Sequence, residues 1–102
     1  NNNKESKKIF EDIILSKNKF YSILSLNTIL EKNLEEDKNK ILYYFSVLES
    51  LNLSIEQQNL IKFKKSLFFI KIFEKDKGFK LLKDLIESNS KLKSLAKEII
   101  SD

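Results

Sequence analysis

The sequence predicts an all-α protein, and three observations lead to this prediction. Apolar residues recur three or four positions apart through most of the chain, which is the spacing of one helix face. The 102 residues include no proline and one glycine, Gly78, so residues that break helices are almost absent. The polar breaks between the periodic stretches are short, about 2–5 residues, as between antiparallel neighbouring helices. We therefore expect about six antiparallel helices, arranged as helical hairpins or as a plain helical bundle.

The first two helices are predicted on either side of a polar break at residues 16–19. Before the break, one helical face carries Ile9, Phe10, Ile13 and Ile14. After it, the residues of the second helix divide into two sets. One face carries Phe20, Ile23, Leu24, Asn27 and Leu30, and another face carries Ser22, Ser25 and Thr28.

Asn33 is predicted as the N-cap of the third helix. Glu36 stands three residues later, the position from which a capping box reaches back to the N–H of the cap. The acids at 35–37 also place negative charge at the positive end of the helix dipole. One side of this helix carries Ile41, Phe45, Leu48 and Leu51, with Tyr44 beside them, and Asn52 ends it.

A second capping-box spacing, Ser54 with Gln57, opens the fourth helix. Its later part, residues 66–73, is apolar nearly all round, which is typical of a helix buried between others. The aromatic and β-branched residues of this stretch make a β-strand the alternative. We favour the helix, because no second strand-like segment exists that could satisfy the backbone groups of a lone strand.

The fifth and sixth helices are separated by Asn89 and Ser90. The fifth follows a turn at 74–76, and its stripe after Gly78 is Phe79, Leu82, Leu85 and Ile86. The sixth has the cleanest amphipathic pattern in the chain, formed by Leu92, Leu95, Ala96, Ile99 and Ile100.

The helices are expected to form one domain over residues 9–102, preceded by a polar segment at 1–8. Residue 1 is Asn, which predicts that the chain is a piece of a longer protein. Residues 1–8 would then be a tether that follows a removed export signal or lipid anchor, or simply the edge of the excised piece. The tether is the interpretation we favour, and it favours a bacterial cell envelope or surface. No run of about 18 apolar residues exists.

The composition removes most catalytic chemistry. The chain has no His, Cys, Arg, Trp or Met, so a catalytic triad, a thiol nucleophile and a zinc site are not expected. The acidic clusters at 11–12 and 35–37 could in principle hold Mg²⁺, but capping and solubility explain them better. We predict no catalytic residue, cofactor or metal, and no enzyme. The abundance of Lys, Asn and Ile is typical of an AT-rich genome.

The net charge of +4 lies in the second half of the chain. From Lys62 to Lys83 there are eight lysines and two acids. Such a stretch could bind nucleic acid or an anionic membrane through phosphate contacts. Because these lysines alternate with apolar residues around two helices, a solvated face is the interpretation we favour, and nucleic acid is not the expected partner.

Gly78 is the most specific single position. A glycine inside a helix costs about 1 kcal/mol relative to alanine. It could mark the turn at the start of a helix. Alternatively, it could permit two helices to approach where no side chain fits.

Residues 60–101 resemble a tetratricopeptide repeat hairpin and the helix that follows it. Ser66 would be the small residue of the first helix, with the aromatic Phe69 three positions later, and Gly78 the small residue of the second. The further positions that carry the resemblance are a turn at 75–76, packing residues Leu82, Leu85 and Ile86, the small Ala96, and an earlier echo at Ser22.

The sequence also departs from the family pattern. The bulky residue near the start of the first helix has no match in register, since Phe63 is one position away. Phe73 or Glu74 replaces the glycine before the turn, and the proline after the second helix is absent.

The resemblance implies a non-catalytic scaffold that binds another protein, as part of a larger bacterial envelope or lipid-anchored protein. In this family the first helix of each hairpin lines a binding groove. The resemblance therefore implies that the residues nearest the groove are Phe63, Leu67, Ile70 and Lys71. Some of these four would instead be core residues. Tyr43 and Tyr44 are adjacent on one helix, so one should be exposed as an interface anchor. A surface antigen that captures a host ligand is the alternative, and binding through Lys62–Lys83 is the second alternative.

Overall fold

The computed structural model describes residues 2–101, which form six α-helices. They are α1 (Asn2–Leu15), α2 (Lys19–Glu31), α3 (Lys38–Glu49), α4 (Ile55–Lys71), α5 (Lys75–Glu87) and α6 (Lys93–Ser101). This part of the chain contains no β-strand, so the all-α prediction is confirmed. The stretch 66–73 continues α4 as far as Lys71 rather than forming a strand.

The helices divide into two compact units, and the expectation of one domain over 9–102 stays a prediction. The N-terminal unit runs up to Asn52 and holds α1, α2 and α3. The C-terminal unit begins at Leu53 and holds α4, α5 and α6. Within each unit the main helix contacts are with sequence neighbours, α1 with α2 and α4 with α5 above all.

α1 begins earlier than the sequence predicted. Residues 2–8, expected as part of a polar tether, are helical, and residue 1 lies outside the described range. Lys8 forms an ion pair with Asp12 at 3.0 Å, a spacing of four residues that supports an exposed helix. The hydrogen bond to Asp12 raises the pKa of Lys8 above its ordinary value. The polar segment therefore has helical structure of its own.

The predicted capping box of the fourth helix is confirmed. The Gln57 N–H donates to the Ser54 hydroxyl at 3.2 Å, and the Ser54 N–H donates to the Gln57 side chain at 3.0 Å. The first turn of α4 therefore has two of its N-terminal donors satisfied.

The predicted N-cap of the third helix is wrong. Asp37 caps α3, because its carboxylate accepts the N–H of Asn39 at 2.9 Å. Asn33 instead ends α2 in a left-handed conformation with φ of 51°. The Leu34 N–H then bonds back to the Ile29 carbonyl at 3.0 Å. Asparagine favours both positions, since its short side chain suits an N-cap and also tolerates positive φ.

In the N-terminal unit, α2 packs through its small residues. Ser22 and Ser25 are buried, and the Ser22 hydroxyl donates to the Ile13 carbonyl at 3.0 Å. Phe20 and Leu24, members of the predicted apolar face, are exposed. Small side chains allow α1 and α2 to approach closely, and this approach decides which face is buried. The buried apolar residues of this unit are Ile14, Leu26, Ile29, Ile41, Tyr44, Phe45, Val47 and Leu48.

The core of the C-terminal unit is centred on three fully buried residues of α5 and α6, namely Leu82, Leu85 and Ala96. Half-buried apolar residues pack around this centre from all three helices. They are Phe63, Ile70, Phe79, Ile86, Ile99 and Ile100. Elsewhere on α4, Ile61 and Phe68 are also buried, whereas Leu60, Leu67 and Lys71 are exposed.

Candidate functional site

α4 and α5 meet at Gly78, which is the fourth residue of α5 and is buried. A Cβ at this position would lie 2.7 Å from the carbonyl oxygen of Ser66 and 2.8 Å from Cγ1 of Ile70. No side chain fits there. Gly78 is within a helix and has no positive φ, so the close approach, and not a turn, explains the glycine.

The other residues predicted to pack between helices are placed as follows. Ser66 is fully buried, and its hydroxyl donates to the Phe63 carbonyl at 2.5 Å. Phe69 is half-buried beside Phe68, with ring centroids 6.2 Å apart. The remaining three, Ser22, Leu82 and Ala96, are fully buried.

The exposed side of α4 carries a row of residues that we call the α4 stripe. Its members are Leu60, Lys64, Leu67 and Lys71, spaced four, three and four positions apart. Leu67 is 40% exposed, and Leu60 and Lys71 are also exposed. Of the four residues predicted to line a groove, Leu67 and Lys71 belong to this stripe. Phe63 and Ile70 pack against the core instead.

A depression of about 430 Å³ opens beside the first two turns of α4. The turn between α5 and α6 forms its other wall. Its lining residues are Ile55, Glu56, Asn59 and Leu60 from α4, with residues 88–92 opposite. Leu60 belongs to both the depression and the α4 stripe, so the two features form one continuous surface.

An ion pair joins the two walls of the depression. Lys91 Nζ lies 2.6 Å from the Glu56 carboxylate. The hydrogen bond to Glu56 raises the pKa of Lys91 above its ordinary value. Both side chains are largely exposed, so the pair forms a polar rim and contributes little stability.

The opposite wall is fixed by local backbone contacts. Asn89 ends α5 with φ of 56°, and the Ser90 N–H bonds to the Leu85 carbonyl at 3.2 Å. The Ser90 hydroxyl then accepts the Leu92 N–H at 3.1 Å. The periodicity of the sequence does not indicate this depression. The one available signal was Ile55, an apolar residue placed directly after the Ser54 cap.

Tyr43 and Tyr44 have different environments in the N-terminal unit. Tyr43 is exposed, while Tyr44 is buried and donates its hydroxyl hydrogen to Glu11. Lys40 Nζ lies 4.0 Å from the same Glu11 oxygen. Burial, and then the hydrogen bond to Glu11, raise the pKa of Tyr44 above its ordinary value. Tyr44 therefore serves α1–α3 packing, and Tyr43 is the one available to a partner.

Glu35 is a buried carboxylate close to this group. One of its oxygens accepts the Asp37 N–H at 3.0 Å. The other makes no hydrogen bond and lies 3.6 Å from Lys7 Nζ. Each carboxylate here has a cation beside it. Within residues 2–101, no cluster of acidic side chains is placed to hold a metal ion.

The chain was compared with known proteins. No protein-family model matches it. No curated protein and no solved structure matches it either. Among residues 2–101, no helix has both the length and the apolar content of a transmembrane segment. The resemblance to tetratricopeptide repeats therefore stays a prediction from the residues of 60–101.

Proposed function

We propose that this protein is a non-catalytic interaction module that binds another protein through the α4 stripe and the adjoining depression. The observation that carries the proposal is that Leu60 and Leu67 are held exposed in a row on α4, while Ile61, Ser66 and Phe68 of the same helix are buried. The tetratricopeptide resemblance supports it, because that family binds partners along the first helix of each hairpin. On this proposal the module belongs to a larger bacterial envelope or lipid-anchored protein.

The chemistry of the surface indicates what a partner would present. Leu60 and Leu67 supply exposed apolar surface, and the depression that Ile55 and Leu60 line is of a size that takes an apolar side chain. Lys64 and Lys71 lie in the same row and favour acidic groups on the partner. An apolar centre beside charged residues is the usual composition of a protein interface.

The surface is also formed in advance of binding. The capping box fixes the start of α4, and the contact between Ser66 and Gly78 fixes α4 against α5. A rigid surface loses little conformational entropy when a partner binds, which favours affinity.

A pair of matched leucine variants tests this proposal. Leu67 on the α4 stripe is 40% exposed, and Leu24 in the N-terminal unit is 51% exposed. The partner is first captured by a photo-crosslinker placed at position 67 and is then purified. We expect Leu67→Ala to weaken its binding about tenfold or more, and Leu24→Ala to leave it unchanged. Circular dichroism should show the same helix content for both variants.

Unchanged binding by both Leu67→Ala and Leu60→Ala would reject the α4 stripe as the contact surface. Protease accessibility on intact cells then distinguishes a module exposed on the cell surface from one inside the envelope. A cleaved module would indicate the surface antigen that captures a host ligand, and a protected one would indicate a scaffold inside the envelope.

A further inference from the structure

The turn between α4 and α5 presents a phenylalanine to solvent. Phe73 is 95% exposed, more than any other large apolar side chain in the described residues, and the next, Ile55, is 66% exposed. A side chain that is so little buried contributes almost no hydrophobic stabilisation to the fold. Its position therefore needs a separate explanation.

The backbone conformation of Phe73 is also unusual for a phenylalanine. Phe73 has φ of 65°, a left-handed conformation that is strained for a bulky residue. It closes α4 by the pattern in which the Glu74 N–H bonds to the Phe69 carbonyl, at 2.8 Å. Asn33 and Asn89 occupy the same position after α2 and α5, with φ of 51° and 56°. Lys17 occupies it after α1, with φ of 63°, so the chain uses asparagine at two such positions, lysine at one and phenylalanine at this one.

Three lysines lie close to Phe73 along the chain. Lys71, Lys75 and Lys77 are exposed and lie within four residues of Phe73. Lys77 forms an ion pair with Glu74 at 3.1 Å, and Asp76 is the second acid of the segment. The whole segment 62–83 has eight lysines against these two acids, so its charge is strongly positive.

We propose that the α4–α5 turn binds the surface of an anionic phospholipid membrane by inserting Phe73, while Lys71, Lys75 and Lys77 contact lipid phosphates. A bilayer surface accepts a protruding aromatic ring without a preformed pocket, and its negative potential attracts juxtaposed lysines. Nucleic acid fits this turn less well, because single strands bind along grooves with successive stacking rings. The binding is peripheral, weak and reversible, since one small anchor gives only marginal attachment.

This inference goes beyond the proposed protein-binding function and shares only Lys71 with the α4 stripe. Its test uses the fact that the chain has no tryptophan. Phe73→Trp supplies a single fluorophore at the turn, and Tyr43→Trp supplies a matched control on an exposed position of the N-terminal unit. With vesicles of phosphatidylcholine and phosphatidylglycerol at low salt, we expect a blue shift for Phe73→Trp and none for Tyr43→Trp. Pure phosphatidylcholine vesicles should shift neither.

A second variant separates binding from folding. Phe73→Asn installs the residue found at two of the three equivalent positions, so the fold should be retained. We expect it to sediment with the anionic vesicles roughly tenfold less than the unmodified chain, from the loss of the buried ring. The double change Lys75→Gln with Lys77→Gln should weaken binding and reduce its dependence on salt.

The proposal is overturned if the unmodified chain does not bind anionic vesicles at low salt. It is equally overturned if Phe73→Asn binds them as well as the unmodified chain does. A blue shift of Phe73→Trp that occurs only with an acidic protein, and not with vesicles, would assign the turn to a protein partner and reject the lipid surface.

Discussion

The carbonyl oxygen of Ser66 lies 2.7 Å from the point where a Cβ on Gly78 would sit. This distance is shorter than carbon and oxygen atoms tolerate, so α4 and α5 are as close as their backbones permit. The oxygen belongs to the backbone of α4 and cannot turn away as a flexible side chain could. The α4–α5 hairpin therefore depends on the absence of a side chain at one position.

Gly78→Ala should consequently destabilise the protein, although alanine is the better helix former. The gain in helix propensity is about 1 kcal/mol, and the overpacking against Ser66 and Ile70 should exceed it. We expect a net loss of about 1–2 kcal/mol in the free energy of unfolding. Urea unfolding followed by circular dichroism measures it. Lys80→Ala, an exposed change on the same helix, serves as the control and should be nearly neutral.

If Gly78→Ala were as stable as the unmodified chain, the two helices would have to separate at little cost. The close contact would then not limit how α4 and α5 pack.

Ser22 offers a test of whether size or hydrogen bonding matters in the α1–α2 hairpin. Ser22→Ala keeps the small volume and loses a bond to Ile13, a carbonyl that also accepts from Ser16. We expect it to cost under about 1 kcal/mol. Ser22→Leu should cost about 1–3 kcal/mol, because the buried site has no room. Comparable losses for both variants would show that the hydroxyl, and not the close approach, governs this packing.

The phenol of Tyr44 predicts a loss of stability at alkaline pH. Burial and Glu11 raise its pKa in the folded state, so the unfolded phenol ionises first, from about pH 10 upward. Between the two pKa values the folded state holds the extra proton, and stability therefore falls as pH rises. Below pH 10 this contribution is fully present.

Tyr44→Phe provides the comparison that isolates this effect from the titration of the lysines. We expect the variant to be less stable at neutral pH by about 1–2 kcal/mol, because Glu11 loses its donor. The difference in the free energy of unfolding between the unmodified protein and Tyr44→Phe should then become smaller as the pH rises past 10. If the difference in unfolding free energy stayed constant from neutral to alkaline pH, the raised pKa of Tyr44 would be contradicted.

Phe73→Asn should stabilise the fold. Asparagine adopts left-handed backbone angles at lower cost than phenylalanine, and the exposed ring of Phe73 contributes no burial. We expect a gain of about 0.5–1 kcal/mol, measured by thermal or urea unfolding. Asn89→Phe is the reverse change at an equivalent turn and should lose a similar amount. A destabilised Phe73→Asn would mean that the ring supports the folded turn.

Much of the fold could be predicted from the sequence because its signals were local. A chain almost without breakers, with apolar residues at helical spacing, leaves few alternatives to six helices. The spacing of Ser54 and Gln57 specifies a cap within four residues. Gly78 was informative for the opposite reason, since a glycine within a helix is costly and needs a compensating contact.

The predictions that failed depended on competition between positions or on tertiary packing. Asparagine is equally suited to an N-cap and to a left-handed residue that ends a helix. Which of the two roles Asn33 takes is evident only from the backbone conformation. The buried face of α2 is set by how closely Ser22 permits α1 to approach, and apolar periodicity does not contain that information.

The candidate site was predicted only in part for the same reason. Leu67 and Lys71 share a helical spacing that sequence displays directly. The depression requires the α5–α6 turn to stand opposite Ile55 and Leu60, which is a relation between distant parts of the C-terminal unit. In the sequence Phe73 is only a departure from a family pattern, and its exposure is evident only in the structure.

The boundary between Asn52 and Leu53 has an evolutionary consequence. An insertion there would leave the α1–α2–α3 and the α4–α5–α6 contacts untouched, because each set closes within its own half. Genetic duplication or recombination at this junction could therefore lengthen the protein, or exchange one half for another, without rebuilding either apolar centre.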